Sequence, residues 1–156
     1  RFKVMSFEAD NSAQENWKEV IPETKDTLQY AKVYRDKYII CLYLEHACNV
    51  AAIYDLEGKF IRNIPFPDFG DLSLDVPSDG GLISAMYVSL IKPPAIYFYD
   101  IDTNESKLFL QVEIKGVDFS QFECNREFAE SADGTKLPIF ICNKKGCPKD
   151  SSRSAL

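Results

Sequence analysis

The segment Tyr38–Leu44, "YIICLYL", is apolar at nearly every position. Successive side chains of a strand point to opposite faces, so a strand apolar at both parities needs cover on both. That requirement excludes a simple sheet with one wet face and leaves a sandwich, a parallel sheet or a stacked blade. The pattern returns in Leu82–Val88, "LISAMYV", broken by a single serine and offset by 44 residues. Each copy follows an acidic turn, Asp36-Lys37 in the first case and Asp79-Gly80-Gly81 in the second. A second match has nearly the same offset: "YDLEGKF" begins at Tyr54 and "YDIDTNESKLF" at Tyr99, 45 residues on. Each Tyr-Asp segment leads into a short polar turn and another strand.

Four short strands in about 45 residues is the spacing of a β-propeller blade. The offsets place one blade at 28–67 and the next at 72–115. Residues 1–22, with "RFKVMSF" and "NWKEVIP", read as the last strands of a preceding blade. A β-sandwich of about eight strands also shows turns every 8–12 residues, but it does not call for two matched offsets. The expected fold is therefore all-β, a partial propeller of about two and a half four-stranded blades. A blade buries both faces against its neighbours, so such a stack leaves apolar end faces, and the chain reads as part of a ring. Within the second blade, Glu105–Ile114 puts Leu108, Leu110, Val112 and Ile114 on one face and Lys107, Gln111 and Glu113 on the other, with Phe109 the exception. That alternation predicts an outer, half-solvated strand.

Composition narrows the function classes. A net charge of −6 and a pI near 4.8 argue against a nucleic-acid partner, which needs clustered Lys and Arg. No apolar run approaches the ~18–20 residues of a membrane span, and "RFKVMSFEAD" has no apolar signal-peptide core. The first residue is Arg rather than Met, which fits a processed N-terminus or a piece of a longer chain. The five cysteines (41, 48, 124, 142 and 147) are odd in number and lack Cys-x-x-Cys spacing. They signal neither a disulfide framework nor a zinc site, and read as free thiols in a reducing, cytoplasmic compartment. The sequon at Asn104 lies in "DTNES", which is turn chemistry.

Catalytic chemistry is sparse. Ser-His-Asp catalysis needs a histidine to take the proton, and the single histidine, His46, falls in the turn "YLEHACN". A dyad with Cys48 is conceivable, but side chains two apart in a tight turn seldom reach nucleophile–base geometry. His46 reads as a surface turn residue. There is no Gly-x-Ser-x-Gly elbow, and Gly80-Gly81 belongs to the turn "PSDGG" rather than to a phosphate loop. The carboxylates Asp68, Asp71, Asp75 and Asp79 do not have Ca²⁺-loop spacing and suit an exposed loop. Lys144-Lys145 reads as a solvated strand end, and Trp17 as a core residue. No catalytic, cofactor-binding or metal-binding residues are expected, and no cofactor.

Four stretches, "ENWKEVIPE" (15–23), "YDLEGKFIRNIPFP" (54–67), "KPPAIYFYDI" (92–101) and "SADGTKLPIFICNKKG" (131–146), make the chain resemble the prolyl oligopeptidase family over nearly all of residues 1–149. The last stretch is the most specific. The resemblance implies a two-domain serine peptidase, with a seven-bladed propeller capping an α/β-hydrolase domain that cleaves short peptides after proline. By that likeness residues 1–116 are the last blades, 117–149 hold the crossing and the first hydrolase strands, and 150–156 form a tail. The family's Gly-Tyr-Gly-Gly segment, serine elbow, aspartate and catalytic histidine have no matching positions here, and His46 corresponds to a propeller turn. The expected role is part of a prolyl oligopeptidase that contributes propeller gating. Its partners would be short proline-containing peptides, the remaining blades and the hydrolase domain, with no membrane. The other reading is a non-enzymatic propeller interaction module.

Overall fold

The computed structural model describes residues 2–67 and 69–148. The expectations for Asp68 and for the 150–156 tail fall outside the described residues. Antiparallel pairing accounts for every strand. β1 (Val4–Ser6) and β2 (Lys18–Ile21) form a two-stranded sheet. β3 (Thr27–Tyr34), β4 (Tyr38–Glu45), β5 (Cys48–Asp55) and β6 (Phe60–Asn63) pair in sequence order, as do β7 (Gly70–Asp75), β8 (Ile83–Ser89), β9 (Ala95–Asp100) and β10 (Glu105–Gln111). A long hairpin, β11 (Phe122–Glu130) and β12 (Lys136–Lys144), follows. Two successive four-stranded meanders beside a two-stranded one are the expected partial propeller.

The doubly apolar strand explains how the sheets stack. Ile39, Ile40, Cys41, Leu42 and Tyr43 of β4 are all buried. Ile40 and Leu42 join Ile53, Val76, Ile83 and Tyr99 in a core between the two four-stranded sheets. Ile39, Cys41 and Tyr43 face the other way, into a second core with Ile21, Leu28 and the β1–β2 valines Val4 and Val20. The counterpart β8 differs. Ile83, Ala85 and Tyr87 are buried against the first blade, while Met86 is 51% exposed and Val88 and Leu82 are exposed too. Only one of its apolar faces is covered among the described residues.

The Tyr-Asp repeat is a turn device. Asp55 Oδ1 accepts from the amides of Glu57 (3.1 Å) and Lys59 (2.8 Å), and Asp100 Oδ1 accepts from those of Asp102 (2.8 Å) and Thr103 (3.4 Å). A short side chain that bonds its own following backbone fixes the turn between the third and fourth strands. Each turn then needs a left-handed residue, Gly58 (φ 82°) in one and Asn104 (φ 59°) in the other. Asn104 also accepts from the Tyr99 hydroxyl at 3.0 Å.

Two expectations are corrected. The alternation through Leu108 and Leu110 is broken by a bulge at Phe109: Leu108 pairs with Tyr97 and Leu110 with Ile96, which point to opposite faces. The extra residue carries Phe109 out of pattern and prevents a single apolar face. Trp17 is not core. It lies 41% exposed just ahead of β2, stacked on Phe7 at 5.5 Å, with its indole N–H donated to the Ser12 carbonyl at 3.0 Å. The loop between β1 and β2 folds these rings onto each other outside the sheet stack.

Two outcomes follow from this packing. A Cβ at Gly58 would lie 1.8 Å from the Val20 carbonyl oxygen, whereas one at Gly116, with the same φ of 82°, would meet nothing within 4 Å. Gly116→Ala should therefore cost only the left-handed penalty of about 1–2 kcal/mol, and Gly58→Ala clearly more, as read by urea unfolding. Separately, burial pushes the Cys41 thiol from its ordinary 9.0 up to about 11, against a smaller lowering by a hydrogen bond with Tyr43. The folded chain keeps a proton that the unfolded chain gives up above pH 9. Its contribution is present below that pH and lost as pH rises toward 11, by up to about 2–3 kcal/mol. Urea titrations at pH 8 and 10.5 measure the loss, and Cys41→Ala should reduce it.

Candidate functional site

Antiparallel order sends the β4–β5 turn, the start of β7 and the β8–β9 connection to one end of the blades, and the β3–β4, β5–β6 and β9–β10 turns to the other. The two ends are built differently. At the second end polar groups bridge the sheets: the Tyr34 hydroxyl donates to the carbonyls of Gly80 (3.1 Å) and Gly81 (2.5 Å). Arg35 donates to Gly80 at 2.9 Å and pairs with Asp102 at 2.8 Å. Arg62 donates to the Tyr99 hydroxyl at 3.2 Å and to the Ile101 carbonyl. Exposed ion pairs of this kind add little energy, but bonds to backbone carbonyls fix the relative slide of two sheets.

At the first end the hairpin docks, and of the side chains singled out in the sequence His46 and Cys48 lie there. His46 and Ala47 form the two-residue β4–β5 turn with φ of 49° and 61°, the left-handed pair that a tight hairpin requires. His46 is exposed, with its ring edge-on to Phe128 of β11 at 5.0 Å. Arg126, two residues before Phe128 and so on the same face of β11, stands over the Phe69 ring at 4.9 Å and the Phe128 ring at 5.8 Å. Phe140, the cross-strand partner of Arg126, meets Phe69 at 6.1 Å. Cys48 lies buried beside these groups. Burial raises its pKa, while the nearby Arg126 guanidinium and a bond with the Gly70 backbone pull it back. Arg126 was not legible as a joining residue. Its place on the Cys124–Phe128 face was the available signal.

Farther along the hairpin, an open groove of about 470 Å³ is lined by Leu90, Pro93, Ile114, Phe119 and Cys142, where the second blade meets β12. Asp118 starts the one-turn helix Phe119–Gln121 by accepting from the Ser120 amide at 3.0 Å. Its hydrogen bonds to Ser120 and Gln121 hold its carboxyl below the usual range. Lys144 ends β12, and the Lys145 amide donates to Gln121 at 2.7 Å. Asp71 and Asp75 lie at the two ends of β7 and Asp79 in the turn beyond. Among the described residues no three His, Cys, Asp or Glu side chains converge as metal ligands would. No contact joins His46 to Cys48 as base to nucleophile. What this end offers is an aromatic and cationic seam that seats a hairpin on two blades.

Comparison with known proteins agrees with that architecture. A family model described as the prolyl oligopeptidase N-terminal β-propeller domain matches residues 1–112. The chain belongs to the prolyl oligopeptidase family. Prolyl endopeptidase of Dictyostelium discoideum is 32% identical over 130 residues, 83% of this chain and 17% of that protein. Prolyl endopeptidase of Elizabethkingia miricola is 29% identical over 162 residues, 99% of this chain and 22% of that protein. The chain thus spans about a fifth of the length of these curated relatives. A solved structure from a study of two prolyl endopeptidases and their inter-domain dynamics superposes with a TM-score of 0.79 at 26% identity, covering 95% of this chain and 22% of the other. Apo prolyl oligopeptidase B of Galerina marginata shares the fold, with a TM-score of 0.79 at 20% identity over 94% of this chain and 21% of that one.

The seam can be tested by a double-mutant cycle on Arg126 and Phe69. A cation over an aromatic face is worth about 0.5–2 kcal/mol, depending on desolvation. Arg126→Ala and Phe69→Ala should therefore be non-additive by about 0.5–1 kcal/mol in urea unfolding.

Proposed function

We propose that this chain is the last part of the propeller of a serine-type prolyl oligopeptidase, which in the complete enzyme gates the passage of short proline-containing peptides to a hydrolase domain. One observation carries the reading. The propeller family match covers residues 1–112, yet relatives called prolyl endopeptidase align over 99% of the chain, through the hairpin as well. The hairpin therefore belongs to the same parent sequence but lies beyond the propeller match. On this reading blades occupy 28–67 and 72–115, and 117–149 carry the crossing and the first strands of the hydrolase sheet. A narrow ring of blades passes a short flexible peptide and rejects a folded protein, so the blades set substrate size while chemistry takes place elsewhere. One neighbour, prolyl oligopeptidase B of Galerina marginata, has been solved bound to a 25mer macrocyclization substrate.

The uncovered apolar faces support a place within a larger ring. Met86 and Val88 of β8, and Phe109 and Leu110 of β10, lie exposed on the second blade. Among the described residues no helix is long and apolar enough to cross a membrane, and the negative net charge does not suit a nucleic-acid partner.

The purified chain should not turn over a chromogenic Gly-Pro substrate, because the single histidine, His46, sits in a blade turn and among the described residues no serine is paired with it. Genuine cleavage at that bond would overturn the reading. Size-exclusion chromatography of the same sample separates the other reading. Soluble aggregate or a retarded monomer fits blades awaiting neighbours, whereas a discrete closed assembly would favour a non-enzymatic interaction module.

A further inference from the structure

We propose that Cys124 and Cys142 are an oxidant-sensitive dithiol, a modification site at which a cross-strand disulfide closes the β11–β12 hairpin. The two residues are direct partners in the antiparallel register, and their Sγ atoms lie 2.8 Å apart. The type of pair follows from the turn. Ser131 and Thr135 share a backbone hydrogen bond at 2.9 Å, which makes the odd-numbered β11 positions hydrogen-bonded pairs and the even-numbered ones non-hydrogen-bonded. Pro138, opposite Phe128, agrees with this parity, because a residue without an N–H fits where no ladder bond is due. Cys124–Cys142 is therefore a non-hydrogen-bonded pair, in which the Cα atoms approach to about 4.5 Å and both side chains rise from one face. That spacing lies within the range disulfides adopt, so no backbone movement is needed.

Access distinguishes this pair from the blade thiols. Cys41 and Cys48 are buried in the sheet stack, where desolvation keeps them protonated. Cys142 is exposed and Cys124 half-buried, beside the groove under Leu90 and Pro93. Cys147 closes the turn after β12, its amide donating to the Lys144 carbonyl, and is the near-sequence competitor for Cys142.

The oxidant is a hydroperoxide. The Cys142 thiolate attacks one peroxide oxygen, the O–O bond breaks, the departing hydroxide takes up the proton that the thiol had released and leaves as water, and Cys142 becomes a sulfenic acid. The Cys124 thiolate then attacks that sulfur, the S–O bond breaks, and the hydroxide departs as a second water. Two thiols and one hydrogen peroxide give one disulfide and two waters, with two electrons passing from sulfur to oxygen. The closed loop encloses Arg126, Phe128 and Phe140, the side chains that seat the hairpin on the blades.

The full 156-residue chain is treated with one equivalent of hydrogen peroxide, natively and in 6 M guanidinium, then alkylated, digested without reduction and mapped by mass. The native sample should give mainly the Cys124–Cys142 peptide pair, lost in Cys142→Ser and kept in Cys147→Ser. The denatured sample should favour the near-sequence pairs Cys142–Cys147 and Cys41–Cys48, so a native pattern more than about tenfold enriched in Cys124–Cys142 supports the site. The same pairing in both samples, a native Cys142–Cys147 product, intermolecular links only or no disulfide would each overturn it.

Discussion

Burial of β4 on both faces is the constraint on which the other sheets depend. Ile40 and Leu42 fill one core while Ile39, Cys41 and Tyr43 fill another, so this strand cannot be satisfied by its own meander. Each such side chain is worth about 1.5–3 kcal/mol when fully buried, while the hydrogen bonds that bridge the sheets are worth about 0.5–1.5 kcal/mol each. Apolar burial therefore decides that the sheets stack. The bonds from Tyr34, Arg35 and Arg62 to the second blade decide at what offset they stack. The same logic applied to β8 finds one face filled and one bare, which is why a stack of blades, rather than a sandwich of fixed size, describes the chain.

The two ends of the stack divide the work. One is latched by polar side chains reaching for carbonyls of the neighbouring sheet. The other receives a different kind of element. Arg126, Phe128 and Phe140 hold the hairpin against Phe69 and the His46 turn through rings and one cation. His46, the residue that invited a catalytic reading, has a packing role at that seam.

How much was legible in the sequence depended on range. The blade repeat could be seen because its causes are local: double-parity apolar runs for the second strands, and an aspartate that caps its own turn for the third. The strand was rightly read as outer, but its facing was not, because one inserted residue, Phe109, inverts a period-2 pattern without changing composition. Trp17 escaped because the loop before β2 folds its ring against Phe7 rather than inward. The tight turn at His46-Ala47 carries no glycine or asparagine to announce its left-handed backbone. The Cys124–Cys142 pair had no spacing signature at all, since it depends on hairpin register, which only the turn at Asp133-Gly134 and the pairing beyond it set.

The hairpin itself argues from the same physics as β4. Arg126, Phe128 and Phe140 on its even-numbered face meet the blades, while Leu137, Ile139 and Ile141 on the other face of β12 are exposed opposite Ala129, Glu127 and Asn125. A row of exposed aliphatics alternating with a packed face resembles β8, where one covered side implies a missing cover on the other. Among the described residues β12 also pairs with β11 alone, and an unpaired apolar edge is costly to leave open. On the proposed reading both debts have one creditor. A hydrolase sheet would extend the ladder from that edge and bury the Leu137–Ile141 row, so the hairpin would join the two domains by facing a different one on each side.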